Sequence, residues 1–91
     1  MSSRIGQFRR KVALGQYELT GHAKDEMEQE GFSIRDVKSA IYAGRIVMTQ
    51  RHGRGPRKFV LRGKAVDGRG LALVCRLTAS RRLRIITVFS V

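Results

Sequence analysis

Residues 71–78 read Leu71-Ala72-Leu73-Val74-Cys75-Arg76-Leu77-Thr78. Successive side chains of a strand point to opposite faces of its sheet. Leu71, Leu73, Cys75 and Leu77 therefore share one face, and Ala72, Val74, Arg76 and Thr78 share the other. The first set is wholly apolar and the second carries a cation. That division predicts a strand with one face packed and the other available to a partner.

The same alternation continues on both sides. Lys58 to Ala65 reads as a strand with Phe59 and Leu61 inward and Lys58, Val60, Arg62 and Lys64 outward. Asp67-Gly68 is a hairpin signal joining it to the next strand. Arg45 to Arg51 reads as an earlier strand, and His52 to Pro56 as a Gly- and Arg-rich loop with the chain's one proline. After a turn at Ala79 to Arg82, Leu83 to Val91 forms the last strand. Strict alternation there sends Leu83, Ile85, Thr87 and Phe89 inward and Arg84, Ile86, Val88 and Ser90 outward.

The first half of the chain has helical spacing instead. Ile5, Phe8 and Val12 mark a helix within Ser2 to Leu14, with Gly15 as its stop. Arg4, Arg9, Arg10 and Lys11 occupy its other face, either as solvated charges or as an arm that contacts phosphate. Tyr17 to Thr20 is an edge strand or an extended lead-in, and Thr20 can cap a helix starting near His22. Gly21 to Glu30 is polar, with Ala23 and Met27 one turn apart, and Gly31 ends it. Ser33 opens the clearest helix, with Asp36 completing a variant capping box, Ile34, Val37, Ala40 and Ile41 on one face, and Gly44 as the stop. Helices followed by strands predict an α+β fold: helices packed on one face of an approximately four-stranded antiparallel sheet. No linker or repeat divides residues 1–91, so a single domain is expected.

Charge is the unusual property. Nineteen Lys+Arg oppose seven Asp+Glu, for a formal net charge of +12. Such a field concentrates polyanions near the surface. Nucleic acid is the first candidate partner and an acidic protein the second. A membrane surface is disfavoured, because no long amphipathic basic helix is present. No apolar run could span a bilayer. No signal-peptide core follows Met1, so the cytoplasm is the expected compartment. A hydrophobic content of 42% disfavours disorder. The lone cysteine, Cys75, excludes an internal disulfide and reads as a small core residue.

The outward residues of the strands then form a candidate surface. Lys58, Arg62, Lys64, Arg76 and Arg84 surround Val60, Val74, Ile86 and Val88, with Arg51, Arg54 and Arg57 added from the loop. Guanidinium groups engage phosphates with two donors at once. These residues read as phosphate contacts or as solubilising charge. Phe59 and Phe89 fall on the expected core face, which leaves no aromatic platform for stacked bases. Asp25, Glu26, Glu28 and Glu30 share one helix and point in several directions, so no metal site is expected, and no cofactor motif is present. His22 and His52 are the histidines. His22 is either a structural residue at a helix start or an acid–base group. RNA cleavage by its own 2′-OH needs such a group and cations for the phosphorane, but neither metal nor cofactor.

Leu19-Thr20-Gly21-His22-Ala23, Glu26-Met27, Glu30-Gly31-Phe32-Ser33, Asp36-Val37, Gly44-Arg45-Ile46-Val47, residues 58–63 (Lys-Phe-Val-Leu-Arg-Gly) and residues 85–89 (Ile-Ile-Thr-Val-Phe) occur in order. Residues 17–91 thereby resemble a bacterial family of unknown function with a His-Ala motif at a helix start and a terminal Thr-Val-aromatic strand. That family is similar to RelE/ParE-like and MqsR-like toxins. The resemblance implies a RelE-like helices-on-sheet fold, metal-independent mRNA endonuclease activity, on or off the ribosome, and an antitoxin partner. It implies roles for His22, Lys58, Arg62 and Thr87. Glu26 and Glu30 depart from the arginines many relatives carry. The expectation is a toxin-like endoribonuclease with His22, Lys58, Arg62 and Arg76 in catalysis. The alternatives are a non-catalytic nucleic-acid-binding module and a protein that meets an acidic partner through the same face.

Overall fold

Hydroxyl side chains start all three helices in the computed structural model, which describes residues 3–51 and 53–91. Ser3 Oγ accepts from the amide of Gly6 to open α1 (Arg4–Ala13), and Thr20 Oγ1 accepts from Ala23 to open α2 (Gly21–Glu30). Ser33 opens α3 (Ile34–Ala43) through a complete reciprocal capping box with Asp36. Each cap satisfies an amide that the helix itself leaves unpaired. Gly31 ends α2 at φ +71°, in the left-handed region where glycine carries no steric penalty.

The strands are β1 (Tyr17–Leu19), β2 (Arg45–Gln50), β3 (Lys58–Lys64), β4 (Gly70–Leu77) and β5 (Leu83–Ser90). They form one sheet in the order β1-β5-β4-β3-β2. The α+β class and the four-strand meander hold, but the sheet is five-stranded and mixed rather than four-stranded and antiparallel. β1 joins the outer edge of β5 in parallel, with Tyr17, Glu18 and Leu19 opposite Leu83, Arg84 and Ile85. Three residues are too few to display alternation, so their pairing cannot be read from the sequence pattern.

All three helices contribute to one core on one face of the sheet. Phe8 and Val12 from α1, Ala23 and Met27 from α2, and Val37, Ala40 and Ile41 from α3 pack with Phe59, Leu61, Leu71, Leu73, Cys75, Leu83, Ile85 and Val88. Phe8 meets Phe59 edge-on, with ring centroids 5.3 Å apart, a favoured aromatic geometry. Helix α3 approaches the sheet closely enough to require glycine. A Cβ at Gly63 would lie 2.5 Å from the carbonyl oxygen of Ala40, and one at Gly44 would collide with the carbonyls of Ala40 and Arg62.

The last strand departs from strict alternation. Cys75 pairs with Ile85 but Val74 pairs with Thr87, so Ile86 is an extra residue in β5. The bulge shifts every later residue to the opposite face. Val88 is completely buried in the core, against the expectation that it faces outward. Thr87 and Phe89, expected inside, lie on the face the helices leave open, opposite Val74 and Ala72.

Candidate nucleic-acid interface

Cross-strand partners direct their side chains to the same side of a sheet. The register therefore arranges the open face in transverse rows. The first contains Gln50 and Lys58, then Arg76 beside Arg84, and Glu18 at the edge. The second is Met48, Val60, Val74 and Thr87. The third is Arg45, Arg62, Ala72 and Phe89. An apolar row thus lies between two rows that carry cations. Rows two residues apart along a strand are separated by about 6.7 Å, so the cationic rows stand about 13 Å apart.

Two of the cross-strand pairs juxtapose like charges: Arg76 with Arg84 and Arg45 with Arg62. Like charges directly opposite each other weaken a sheet. The first pair has relief. Arg84 Nε donates to Glu18 Oε2 at 2.9 Å, and Arg82 Nε lies 3.4 Å from Glu18 Oε1. The hydrogen bond from Arg84 holds the Glu18 carboxyl below its usual range. Arg45 and Arg62 have no carboxylate within 4 Å among the described residues, and both are exposed. With Lys64 and the backbone at Ala43, Gly44 and Gly63 they line an open cleft of about 320 Å³.

The expected site residues divide by location. Lys58, Arg62, Lys64, Arg76 and Arg84 share the open face as anticipated. Arg51, Arg54 and Arg57 are exposed at the end of β2 and in the loop before β3. His52 lies outside the described residues. His22 belongs to the helical layer. It is exposed on α2, and its Nε2 is 3.3 Å from Glu26 Oε1. Glu26 Oε1 in turn accepts from the amide of Val88 at 3.0 Å, closing part of the outer edge of β5. Thr87, expected to face inward, lies on the open face opposite Val74 and so on the other side of the sheet from His22.

Thr20 links the helix start to the bulge. Its Oγ1 caps α2 and also donates to the carbonyl of Ile86 at 2.9 Å, and its amide donates to Ile85 at 3.0 Å. The segment Leu19-Thr20-Gly21-His22-Ala23 and the segment Ile85-Ile86-Thr87-Val88-Phe89 are therefore one structural unit. Residues 19–90 match a family described as Domain of unknown function (DUF4258). The chain belongs to the DUF4258 family. Comparison with curated proteins and with solved structures gives no match.

The matched stretch contains β2, β3, β4 and β5 and hence every cation of the open face, while α1 and Glu18 lie before it. Several cations of the chain serve the fold instead of that face. Arg9 donates from Nε to the carbonyl of Ile41 and from Nη2 to that of Gly44, capping α3. Arg69 donates to the carbonyls of Glu30 and Gly31, pairs with Asp67 at 2.8 Å, and sits 4.6 Å above the Phe32 ring. Arg82 donates to the carbonyl of Tyr17 at 2.8 Å. Cys75 is buried in the core, which pushes its thiol up to about 12 and leaves it without a reactive thiolate. Among the described residues, Asp25, Glu26, Glu28 and Glu30 join no cluster suited to a metal ion, and no helix is long and apolar enough to cross a membrane.

Sequence reasoning missed Arg45, Met48, Thr87 and Phe89 as members of the face. Arg45 and Met48 follow from the β2 register, in which the pairing slips between Ile46 and Met48. The adjacent isoleucines at 85 and 86 do not by themselves mark the bulge in β5, since Val60-Leu61 and Leu73-Val74 sit in strands that pair with each other without a shift.

Proposed function

We propose that the open sheet face of this DUF4258 domain binds single-stranded nucleic acid, with RNA as the expected ligand. The observation that carries this reading is the Arg45–Arg62 pair. These two exposed arginines are paired across neighbouring strands, and among the described residues neither has a carboxylate within 4 Å to relieve it. A phosphate placed between them would remove the repulsion and gain charge-assisted hydrogen bonds. Lys58 and Arg76 extend the cationic surface along the first row, and Lys64 continues it beyond the third.

The shape of the face favours a single strand. Five strands at about 4.8 Å spacing make a surface about 19 Å wide, too broad for the ~12 Å major groove that admits a two-stranded ribbon. A flat face can instead support an unpaired strand whose phosphates follow the cations. Fluorescence anisotropy with a labelled single-stranded RNA at graded salt tests the reading. Four or five phosphate contacts give a log–log salt slope of about −3. Salt-insensitive binding, or equal affinity in Arg45→Gln/Arg62→Gln, would refute it.

A toxin-like, metal-independent endoribonuclease is a second reading, favoured by the placement of Lys58, Arg62 and Arg76 on one face. These cations could stabilise phosphorane charge. Glu18, the carboxylate among the described residues of that face, is engaged by Arg82 and Arg84, and His22 is engaged by Glu26 on α2. Induced expression with growth and mRNA integrity followed together, beside His22→Ala and Arg76→Ala, separates cleavage from binding. Discrete cleavage relieved by either substitution supports the nuclease. Normal growth with intact mRNA leaves the binding function.

A further inference from the structure

Phe89 is the one aromatic residue on the open face among the described residues, and the bulge at Ile86 puts it there. Among the described residues, all three helices pack on the other side of the sheet. Its row neighbours are Ala72 and, beyond it, Arg62. Ala72 is only 3% exposed, although its face carries no helix. A small side chain between two large ones is shielded by them, so Phe89 and Arg62 form raised walls on either side of a low point. Phe89 remains half-buried. Its outer flank has no paired strand, because β1 pairs with β5 only from Leu83 to Ile85.

We infer that Phe89 is a stacking platform for an unpaired nucleobase, with Arg62 holding the adjoining phosphate; this rests on the nucleic-acid reading of the face and deepens it. Phosphate contacts alone cannot tell a nucleic acid from any other polyanion. An aromatic ring adds recognition of the base itself, since every base presents a π-face. The arrangement supplies both elements within one row: a planar hydrocarbon surface at the sheet margin, and a guanidinium two strands away. The apolar row of Val60, Val74 and Thr87 beside it offers further contact for a base laid flat on the sheet.

The inference also gives the Thr20–Ile86 contact a functional consequence. The threonine that caps α2 also holds the carbonyl of the extra residue in β5. The Glu26 carboxylate accepts from the amide of Val88, two residues on. Together these bonds fix the strand in the arrangement that turns Phe89 outward.

The test compares a decamer of uridine nucleotides with an abasic ribose–phosphate decamer of the same length and charge. Stacking on an aromatic side chain corresponds to about 5- to 150-fold in affinity per base. The wild-type protein is expected to prefer the base-bearing decamer by at least fivefold. Phe89→Leu, which keeps an apolar shield over Ala72 but removes the π-face, should abolish the preference and leave affinity for the abasic decamer unchanged. Phe89→Tyr should retain the preference, and Arg62→Gln should weaken both ligands alike. Equal binding of the two decamers by wild-type protein, or a preference that survives Phe89→Leu, overturns the stacking role while leaving phosphate binding intact. Failure to bind either decamer overturns both. The wild-type comparison decides the question even if a variant does not fold.

Discussion

The covered and open faces of the sheet are built from the same strands but use charge in opposite ways. On the helical side arginines are consumed by the fold: Arg9 caps α3, and Arg69 clamps the end of α2 and lies over Phe32. On the open side Arg45 and Arg62 confront each other with no acidic partner among the described residues. The contrast shows that a net charge of +12 is not itself a binding surface. What distinguishes a ligand-binding cation is the absence of an internal acceptor, together with a position that the fold does not need.

That distinction can be tested by substituting each side in turn. The largest effect should come from the covered face. Leu73 is completely buried in the core, so Leu73→Ala should lower unfolding free energy by about 2–5 kcal/mol, measured by urea denaturation. Any residual folded protein should bind RNA with unchanged salt dependence. A smaller change in stability, but a larger one in affinity, is expected from Arg62→Gln/Arg76→Gln. Loss of two phosphate contacts should flatten the log–log salt slope by about 1.4, with the melting temperature nearly unchanged.

Arg69→Gln provides the sharper comparison, because it removes a charge of the same kind, one instead of two, from the covered side. Loss of its carbonyl contacts should cost about 1 kcal/mol, lowering the melting temperature by about 4–8 °C, while the salt slope stays as in wild type. An altered slope with unchanged melting would reverse the assignment of Arg69.

The smallest effect concerns acid. Hydrogen bonds from the backbone of Ser33 and then Val66 hold the Asp36 carboxyl below its ordinary 3.8. A lowered folded-state value means that the stabilisation is present above the ordinary value and lost as pH falls through the folded one. Melting measured between about pH 5 and pH 2 should therefore decline more steeply in wild type than in Asp36→Asn.

The parts of this architecture that were legible in the sequence are those governed by neighbours along the chain. The caps at Thr20 and Ser33, the stops at Gly31 and Gly44, and the two faces of β3 and β4 all follow from short spacings. The remainder depends on distant partners. The parallel addition of β1 is set by residues more than sixty positions away, and Arg69 finds its carbonyl partners 38 and 39 positions earlier. Of the candidate site, Lys58, Arg62, Lys64 and Arg76 were placed correctly on a shared face because their strands alternate without interruption. Thr87 and Phe89 were misplaced because alternation in β5 breaks at Ile86, where two adjacent isoleucines do not by themselves mark a bulge.

The hydrogen bond from Thr20 to Ile86 makes the pairing of the last strand as consequential as its composition. Were Ile86 taken into the ladder as a paired residue, the parity of everything after it would invert, turning Thr87 and Phe89 towards the helices and Val88 towards water. No amino acid would change, yet the core would acquire a hydroxyl and lose a valine, and the outer surface would lose its ring.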